Sequence, residues 1–359
     1  MSGLNITVKK MTEEILACHP VKAGLGLRFG DMSIYFQTND PVLVDELAEY
    51  FQEFVTKPDG RADVSLMALE SPELKIPTAL TVKPPDPGKT KVKEEYVDCP
   101  DGRIVRKRLT GMVFLFGGPT NLAVGPCRAN SNQIVNFINS RLIQWELDQG
   151  ALLAHAAAVG LGGKGLALAG FSGMGKSTLA LHLMSHGLDF ISNDRLLIKR
   201  LENKAVIRGV PKLPRINPGT ALNNPDLASV IPEDDREVFA RLDEDEIWDL
   251  EHKYDVYINQ CFGPNRFRLE AGLSALGILN WHRSGQPIMV QRIDLTKRLD
   301  LLAAVKKPPG LFFLPPTGEV EYRDQDYLER LGDIPVFEIT GGIDFPAAAS
   351  ACLERLSVL

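Results

Sequence analysis

Gly170-Phe171-Ser172-Gly173-Met174-Gly175-Lys176-Ser177-Thr178 restricts this chain more than any other stretch. It fits the spacing G-x-x-x-x-G-K-[ST], a phosphate-gripping loop that works only between a strand and a helix. The flanks agree. Gly165 to Ala169 reads as a short buried strand, and Ser177 to His186 as a helix. Gly187 suits the C-terminal cap, with His182 and His186 near the negative end. Gly170, Gly173 and Gly175 let the backbone turn tightly and present successive N–H groups to an anion. Ser172, Met174 and Thr178 complete the loop, Lys176 adds positive charge and Ser177 offers a hydroxyl to Mg²⁺. The helix start points its positive end the same way.

Bulk properties exclude several classes. The 359 residues are 44% hydrophobic and 24% charged, with a net charge of −6. That length allows two or three domains, and the lack of basic excess argues against nucleic acid or an anionic membrane as partner. No apolar run reaches the roughly 18–20 residues of a membrane helix. The first residues lack the basic-then-apolar order of a signal peptide. Cys18, Cys99, Cys127, Cys261 and Cys352 are scattered, without a C-x-x-C pair. The expectation is a cytoplasmic protein with reduced thiols and neither disulfide framework nor zinc site.

The pattern along the chain predicts an α/β protein in three parts. Residues 1–130 read as a small N-terminal α/β domain. It has strand-like patches between Leu25 and Gln37, a helix from Val42 to Val55 opened by Asp40-Pro41, and a strand from Ala62 to Leu69. A Pro- and Lys-rich loop follows near 71–93, then a hairpin from Tyr96 to Leu109 turning at Asp101-Gly102. Residues 131–307 read as the nucleotide-binding core, entered by an amphipathic helix from Ser131 to Leu147. Leu273 to Trp281 and Pro287 to Ile293 read as strands of that core, and Pro308-Pro309-Gly310 as a hinge. Residues 308–359 read as a C-terminal α/β cap.

Three groups stand at suggestive distances from the loop. His155, on a predicted strand, lies 21 residues before Lys176, and Asn193-Asp194 lie 17 and 18 residues after it. A short strand ending in a carboxylate would bring Asp194 to the sheet edge where ligands of open α/β sheets gather. Lys212, Arg215 and Asn217 form the third group. Each has an ordinary alternative: His155 as a satisfied core histidine, Asp194 as a carboxylate with neither metal nor base role, and Lys212 and Arg215 as solvated surface charges. Glu251, Lys253 and Asp255 read as a solvated helix face.

The combination of His155-Ala156-Ala157-Ala158-Val159, the glycine-lysine loop and the paired Asn193-Asp194 resembles HPr kinase/phosphorylase. More closely it resembles the HprK-related kinases, with the HprK-related kinase B branch suggested by Ser192-Asn193-Asp194-Arg195 and the N-terminal half. The resemblance is good over about 150–200, looser to 300, and absent elsewhere. It implies a P-loop kinase core of the HPr kinase and phosphoenolpyruvate carboxykinase-like type, ATP at Gly170 to Thr178, Mg²⁺ at Ser177 and Asp194, and a homo-oligomer. His155 would match the family's active-site histidine, Asn193 its first aspartate and Asp194 its second. Asn193 is a departure, because an amide takes no proton at neutral pH. Either Asp194 has the role, or catalysis rests on positioning, or transfer is lost. The family's metal-binding glutamate is also missing from Gly209 to Thr220. The implied function is an ATP- and Mg²⁺-dependent kinase acting on a hydroxyl of an unidentified protein or small molecule, with His155, Lys176, Asn193 and Asp194 at its centre. The alternatives are an ATP-binding regulatory or scaffold protein without transfer, and a nucleotide switch. The last lacks a strand ending in Asp-x-x-Gly and an Asn-Lys-x-Asp guanine reader.

Overall fold

Strict alternation builds the first sheet. In Met32–Thr38 the side chains of Met32, Ile34, Phe36 and Thr38 are buried, while Ser33, Tyr35 and Gln37 turn toward solvent. The computed structural model describes residues 6–58, 61–85, 90–239, 241–243, 246–247, 250, 252–316 and 321–358. They form a mixed α/β protein dividing into two compact units: Met1–Trp145 with Pro309–Gly318, and Glu146–Pro308 with Glu319–Leu359.

The first unit contains α1 (Val8–Cys18), β1 (Ala23–Phe29), β2 (Met32–Thr38), α2 (Pro41–Tyr50), β3 (Val55–Thr56) and β4 (Val64–Glu70). Next come β5 (Thr81–Val82), β6 (Glu94–Cys99), β7 (Gly102–Lys107), β8 (Val113–Gly117) and β9 (Thr120–Gly125). They make one sheet in the order β3-β1-β2-β4-β9-β8-β7-β6-β5. The hairpin at Asp101-Gly102 is present as β6 and β7. Two expectations change. The helix after Asp40 ends at Tyr50 rather than Val55, and the Pro- and Lys-rich loop contains β5, which pairs with β6. Asp40 caps α2 by accepting from the Val42 N–H at 3.1 Å. Val8, Met11 and Ile15 on α1 pack on Leu69, Ile104, Leu115 and Val124 of the sheet.

α3 (Ser131–Asp148) follows. The second unit then runs β10 (Leu152–Ala154), β11 (Ala156–Leu161), β12 (Lys164–Gly170), α4 (Lys176–Ser185), β13 (Asp189–Ser192), β14 (Leu196–Leu201) and β15 (Lys204–Gly209). After these come β16 (Arg215–Ile216), α5 (Pro218–Leu222), α6 (Glu233–Phe239), β17 (Tyr254–Asp255), α7 (Ile258–Phe262), β18 (Glu270–Leu279) and β19 (Met289–Ile293). The chain closes with α8 (Leu299–Leu302), α9 (Asp324–Leu331), β20 (Val336–Thr340) and α10 (Phe345–Val358). The main sheet runs β10-β14-β15-β18-β12-β11-β13, with β20 on β18 and β19 on β20. β16 and β17 form a separate ribbon. The tail therefore forms no cap of its own. β20 pairs in parallel with β18, and Pro309–Gly318 belongs to the first unit while Glu319–Leu359 belongs to the second.

Strand directions position the site. β11 is antiparallel to β12 and β13 is antiparallel to β11. The start of β11 and the ends of β12 and β13 therefore share one edge. His155, the glycine loop and Asn193-Asp194 leave the sheet there.

Candidate active site

β12 is buried from Gly165 to Gly170, and α4 begins directly after the loop, so the turn between them has little freedom. Gly173 and Gly175 take φ of +85° and +78°, conformations that suit glycine. Gly175 is the N-cap of α4 and provides no side-chain cap. The first N–H groups of a helix have no acceptor within it, so the amides after Gly175 face the loop. The Lys176 ammonium donates to the carbonyls of Gly170 at 2.8 Å and Phe171 at 3.2 Å. Burial pushes its pKa down to about 8, against the opposing pull of Asp194. A desolvated ammonium beside exposed amide donors forms a cradle for an oxyanion.

Two aromatic rings brace this loop. The Trp281 indole N–H donates to the Met174 carbonyl at 3.0 Å. Phe345, at the start of α10, stands edge-on to Trp281 with ring centroids 5.3 Å apart, and its ring atoms lie 2.6 Å from where a Cβ on Gly175 would be. The His182 ring stacks parallel to Phe345, with ring centroids 5.6 Å apart. Sequence reasoning did not find these braces, which lie over 100 residues from the loop with no local signal.

His155 does not lie within a strand, as its apolar neighbours suggested. It occupies the break between β10 and β11. An isolated bridge from Ala154 to Lys306, and a bond from the His155 N–H to the Val305 carbonyl at 2.7 Å, tie that break to the segment after α8. This brings in Lys307, the last residue of the predicted core, which no sequence pattern singles out. His155 Nε2 lies 3.1 Å from Asp194 Oδ1, and Lys307 Nζ lies 3.0 Å from Asp194 Oδ2. Burial acts to raise the Asp194 pKa, but the His155 hydrogen bond and the Lys307 charge outweigh it and hold the carboxyl well below the usual range. Its side chain stays 45% exposed. Asn193 Oδ1 is buried with no hydrogen-bond partner among the described residues.

The Lys212 segment reaches the same place. Leu196 pairs with Gly209, so the chain leaving β15 runs beside Asn193 to Arg195. A Cβ on Gly209 would lie 1.8 Å from the Ile191 carbonyl oxygen, so glycine permits this approach. Burial, then the nearby Arg195, push the Lys212 pKa down to about 8. Arg215 pairs with Asp255 at 3.3 Å. Asp255 thus faces Arg215 from β17 instead of lying on a solvated helix. Lys253 is exposed, and Glu251 lies outside the described residues. The Thr178 and Thr220 hydroxyls meet at 3.0 Å, joining α4 to α5.

The residues present suit a nucleotide phosphate chain, through the loop amides and Lys176. They also suit a metal that keeps several waters. Ser177 and Asp194 could supply one oxygen site each, and among the described residues no cluster of three or more His, Cys, Asp or Glu side chains could hold a metal alone.

No family model matches the chain, and no curated protein matches it. Among solved structures it is similar to the Hpr(Ser) kinase/phosphatase from Coxiella burnetii at 12% identity, over 57% of this chain and 92% of that one, with a TM-score of 0.30. At those values the likeness carries no argument about activity. Among the described residues no helix is long and apolar enough to cross a membrane.

Proposed function

We propose that the chain is a kinase that transfers the γ-phosphoryl group of Mg·ATP to a hydroxyl. The observation supporting this most is the carboxylate at the sheet edge beside the loop: Asp194, held from two sides by His155 and Lys307. Mg·ATP, when bound, supplies the phosphoryl group, and its metal offsets phosphate charge. The bond from the γ-phosphorus to the bridging oxygen breaks, a bond to the acceptor oxygen forms, ADP leaves and the acceptor proton goes to solvent.

The chain's part is placement and charge. Lys176 turns from the Gly170 and Phe171 carbonyls to phosphate oxygens. Ser177 and Asp194 would each offer an oxygen to the metal, which would offset phosphate charge. Asp194 is a weak base, since its carboxyl titrates so low. It therefore orients the acceptor hydroxyl and balances developing charge instead of drawing the proton early. His155 fixes the carboxylate's direction. Asn193 accepts the hydrogen bond of the incoming hydroxyl but no proton, so the reverse, phosphate-releasing reaction is weak.

A second reading, nucleotide binding without transfer, is favoured by Asn193 alone, whose buried oxygen has no proton to exchange. Calorimetry with Mg·ATP, paired with label transfer from γ-labelled ATP into candidate acceptors, separates the two. The kinase reading expects binding and transfer in the natural chain. It expects Asp194→Asn to keep nucleotide affinity in the absence of metal within about threefold and to lower transfer on the order of 10³-fold. Equal turnover in that variant would remove Asp194 from the mechanism. Binding without any ADP formation would leave the regulatory reading.

A further inference from the structure

Tyr327 is fully buried, yet it carries a hydroxyl that a phenylalanine would not have to desolvate. That hydroxyl lies between two segments. It donates to the Leu153 carbonyl at 2.6 Å and accepts from the Lys307 N–H at 3.4 Å. The Lys307 N–H also reaches the Leu153 carbonyl, at 3.3 Å. Two residues after Leu153 stands His155, and Lys307 is the residue whose ammonium grips Asp194. Burial pushes the pKa of the hydroxyl up to about 12, so it keeps the proton it donates.

The backbone pairing between these segments is slight. Ala154 and Lys306 form an isolated bridge that extends into no ladder. It consists of the His155 bond to Val305 at 2.7 Å and the longer Lys307 bond to Leu153. Alternation about the bridge sends the side chains two ways. Ala154 packs in the core cluster that includes Tyr327, and Lys306 Nζ lies 5.8 Å from the Tyr327 ring centroid. His155 and Lys307, one residue on, reach the two oxygens of Asp194 instead. The helix α9 supports this arrangement with one face. Asp324, Tyr327 and Arg330 stand three residues apart and so lie along the same side of it. Asp324 accepts from Lys306 Nζ at 2.6 Å, and Arg330 donates to the Gly150 carbonyl, ahead of β10, at 3.1 and 3.3 Å. Tyr327 is the buried member of the three and touches both segments.

We infer that Tyr327 is a positioning residue for the candidate site: its hydroxyl sets the spacing of the segments that bring His155 and Lys307 to opposite oxygens of Asp194. Its effect on transfer rests on the kinase reading, while the spacing stands on these contacts alone. Without the hydroxyl, the Leu153 carbonyl is left with the 3.3 Å bond from Lys307, and the Lys307 segment can draw away from β10. The Lys307 ammonium then leaves Asp194 Oδ2. A carboxylate held from one side swings about its remaining contact and directs its free oxygen poorly at a hydroxyl.

The test compares the full-length chain with Tyr327→Phe, which keeps the ring, and with Leu331→Ala, which thins the same helix's contact with the same core cluster. Turnover is read as ADP formed from Mg·ATP with water as the acceptor, below the melting transition of all three proteins. Tyr327→Phe is expected to lower kcat about tenfold, as a misplaced group does. It is expected to hold KM for Mg·ATP within about twofold, because the loop and Lys176 are untouched. Leu331→Ala is expected to melt at a lower temperature than Tyr327→Phe and to keep kcat within about twofold. A second readout needs no turnover: limited acetylation by acetic anhydride without nucleotide, followed residue by residue by mass spectrometry. Lys307 is expected to label at least about threefold faster in Tyr327→Phe, through local opening, with the exposed Lys164 unchanged. Unchanged labelling of Lys307 overturns the inference. So does a kcat equal to that of the natural chain, or a kcat loss that Leu331→Ala matches, which would make Tyr327 a matter of stability alone. If the natural chain forms no ADP, the failure falls on the kinase reading, and faster labelling of Lys307 still upholds the spacing role.

Discussion

Lys176 is only 8% exposed, yet carries a charge that burial opposes. Its pKa falls from 10.5 to about 8 in the folded chain. Below pH 8 the lysine is charged both folded and unfolded, and the folded state bears the whole desolvation penalty. Between about pH 8 and 10.5 the folded chain releases the proton and the unfolded chain keeps it. Stability therefore rises with pH across that window. Lys176→Met removes the penalty. The ligand-free variant is expected to be more stable at pH 7.5, by up to about 3 kcal/mol, and to lose this advantage by pH 10. Urea unfolding of both proteins at the two pH values measures it. A variant less stable at pH 7.5 would mean that the two carbonyl contacts outweigh burial. The same variant is expected to lose nucleotide affinity by about 10²-fold or more, because the oxyanion that compensates the buried charge has no partner left.

At the scale of elements, the loop owes its shape to α10 as much as to its own glycines. Gly175→Ala needs a left-handed alanine and drives its Cβ into the Phe345 ring. The expected cost is on the order of 2 kcal/mol from strain and overpacking together, with nucleotide affinity down at least tenfold. Adding Phe345→Ala is expected to recover the steric share and leave the backbone share. Melting curves and calorimetry of the single and double variants follow both, and a double variant worse than the sum would rule out the clash. This brace was illegible in the sequence, since nothing near Phe345 says which turn it will press against. The strand, loop and helix were legible, because glycine spacing and an apolar run act locally. His155 and Asn193-Asp194 were legible as partners of the edge through spacing. Lys307 was not, because its place depends on a bridge between Ala154 and Lys306 that no local pattern encodes. Asp255 was misread for a related reason: its own strand and the partner strand are each two residues long, too short to show alternation.

At the scale of the whole chain, neither unit is one continuous stretch. The first is completed by Pro309–Gly318, which follows the bulk of the second in sequence. Phe312 lies among Phe114, Phe116 and Phe137, with ring centroids 5.2, 5.5 and 5.9 Å away. Arg141 donates to the Phe312 carbonyl, and its guanidinium lies over the rings of Phe116 and Phe137. The Leu314 backbone exchanges two hydrogen bonds with the Gln144 side chain, at 2.9 and 2.8 Å, and the Arg103 guanidinium donates to the Leu311 carbonyl at 2.9 Å. This segment is a structural part of the first unit and not a linker, although its Pro308-Pro309-Gly310 start reads as one. Phe312→Ala removes the ring from a largely aromatic cluster and is expected to cost about 3 kcal/mol. Because the lost contacts belong to the first unit, the loss should be local. Hydrogen exchange is expected to accelerate in β7, β8 and β9 while β11, β12 and β18 keep their protection. Uniform acceleration in both units would show that they unfold as one cooperative body, and no acceleration in β8 would show that the aromatic cluster stands without this segment.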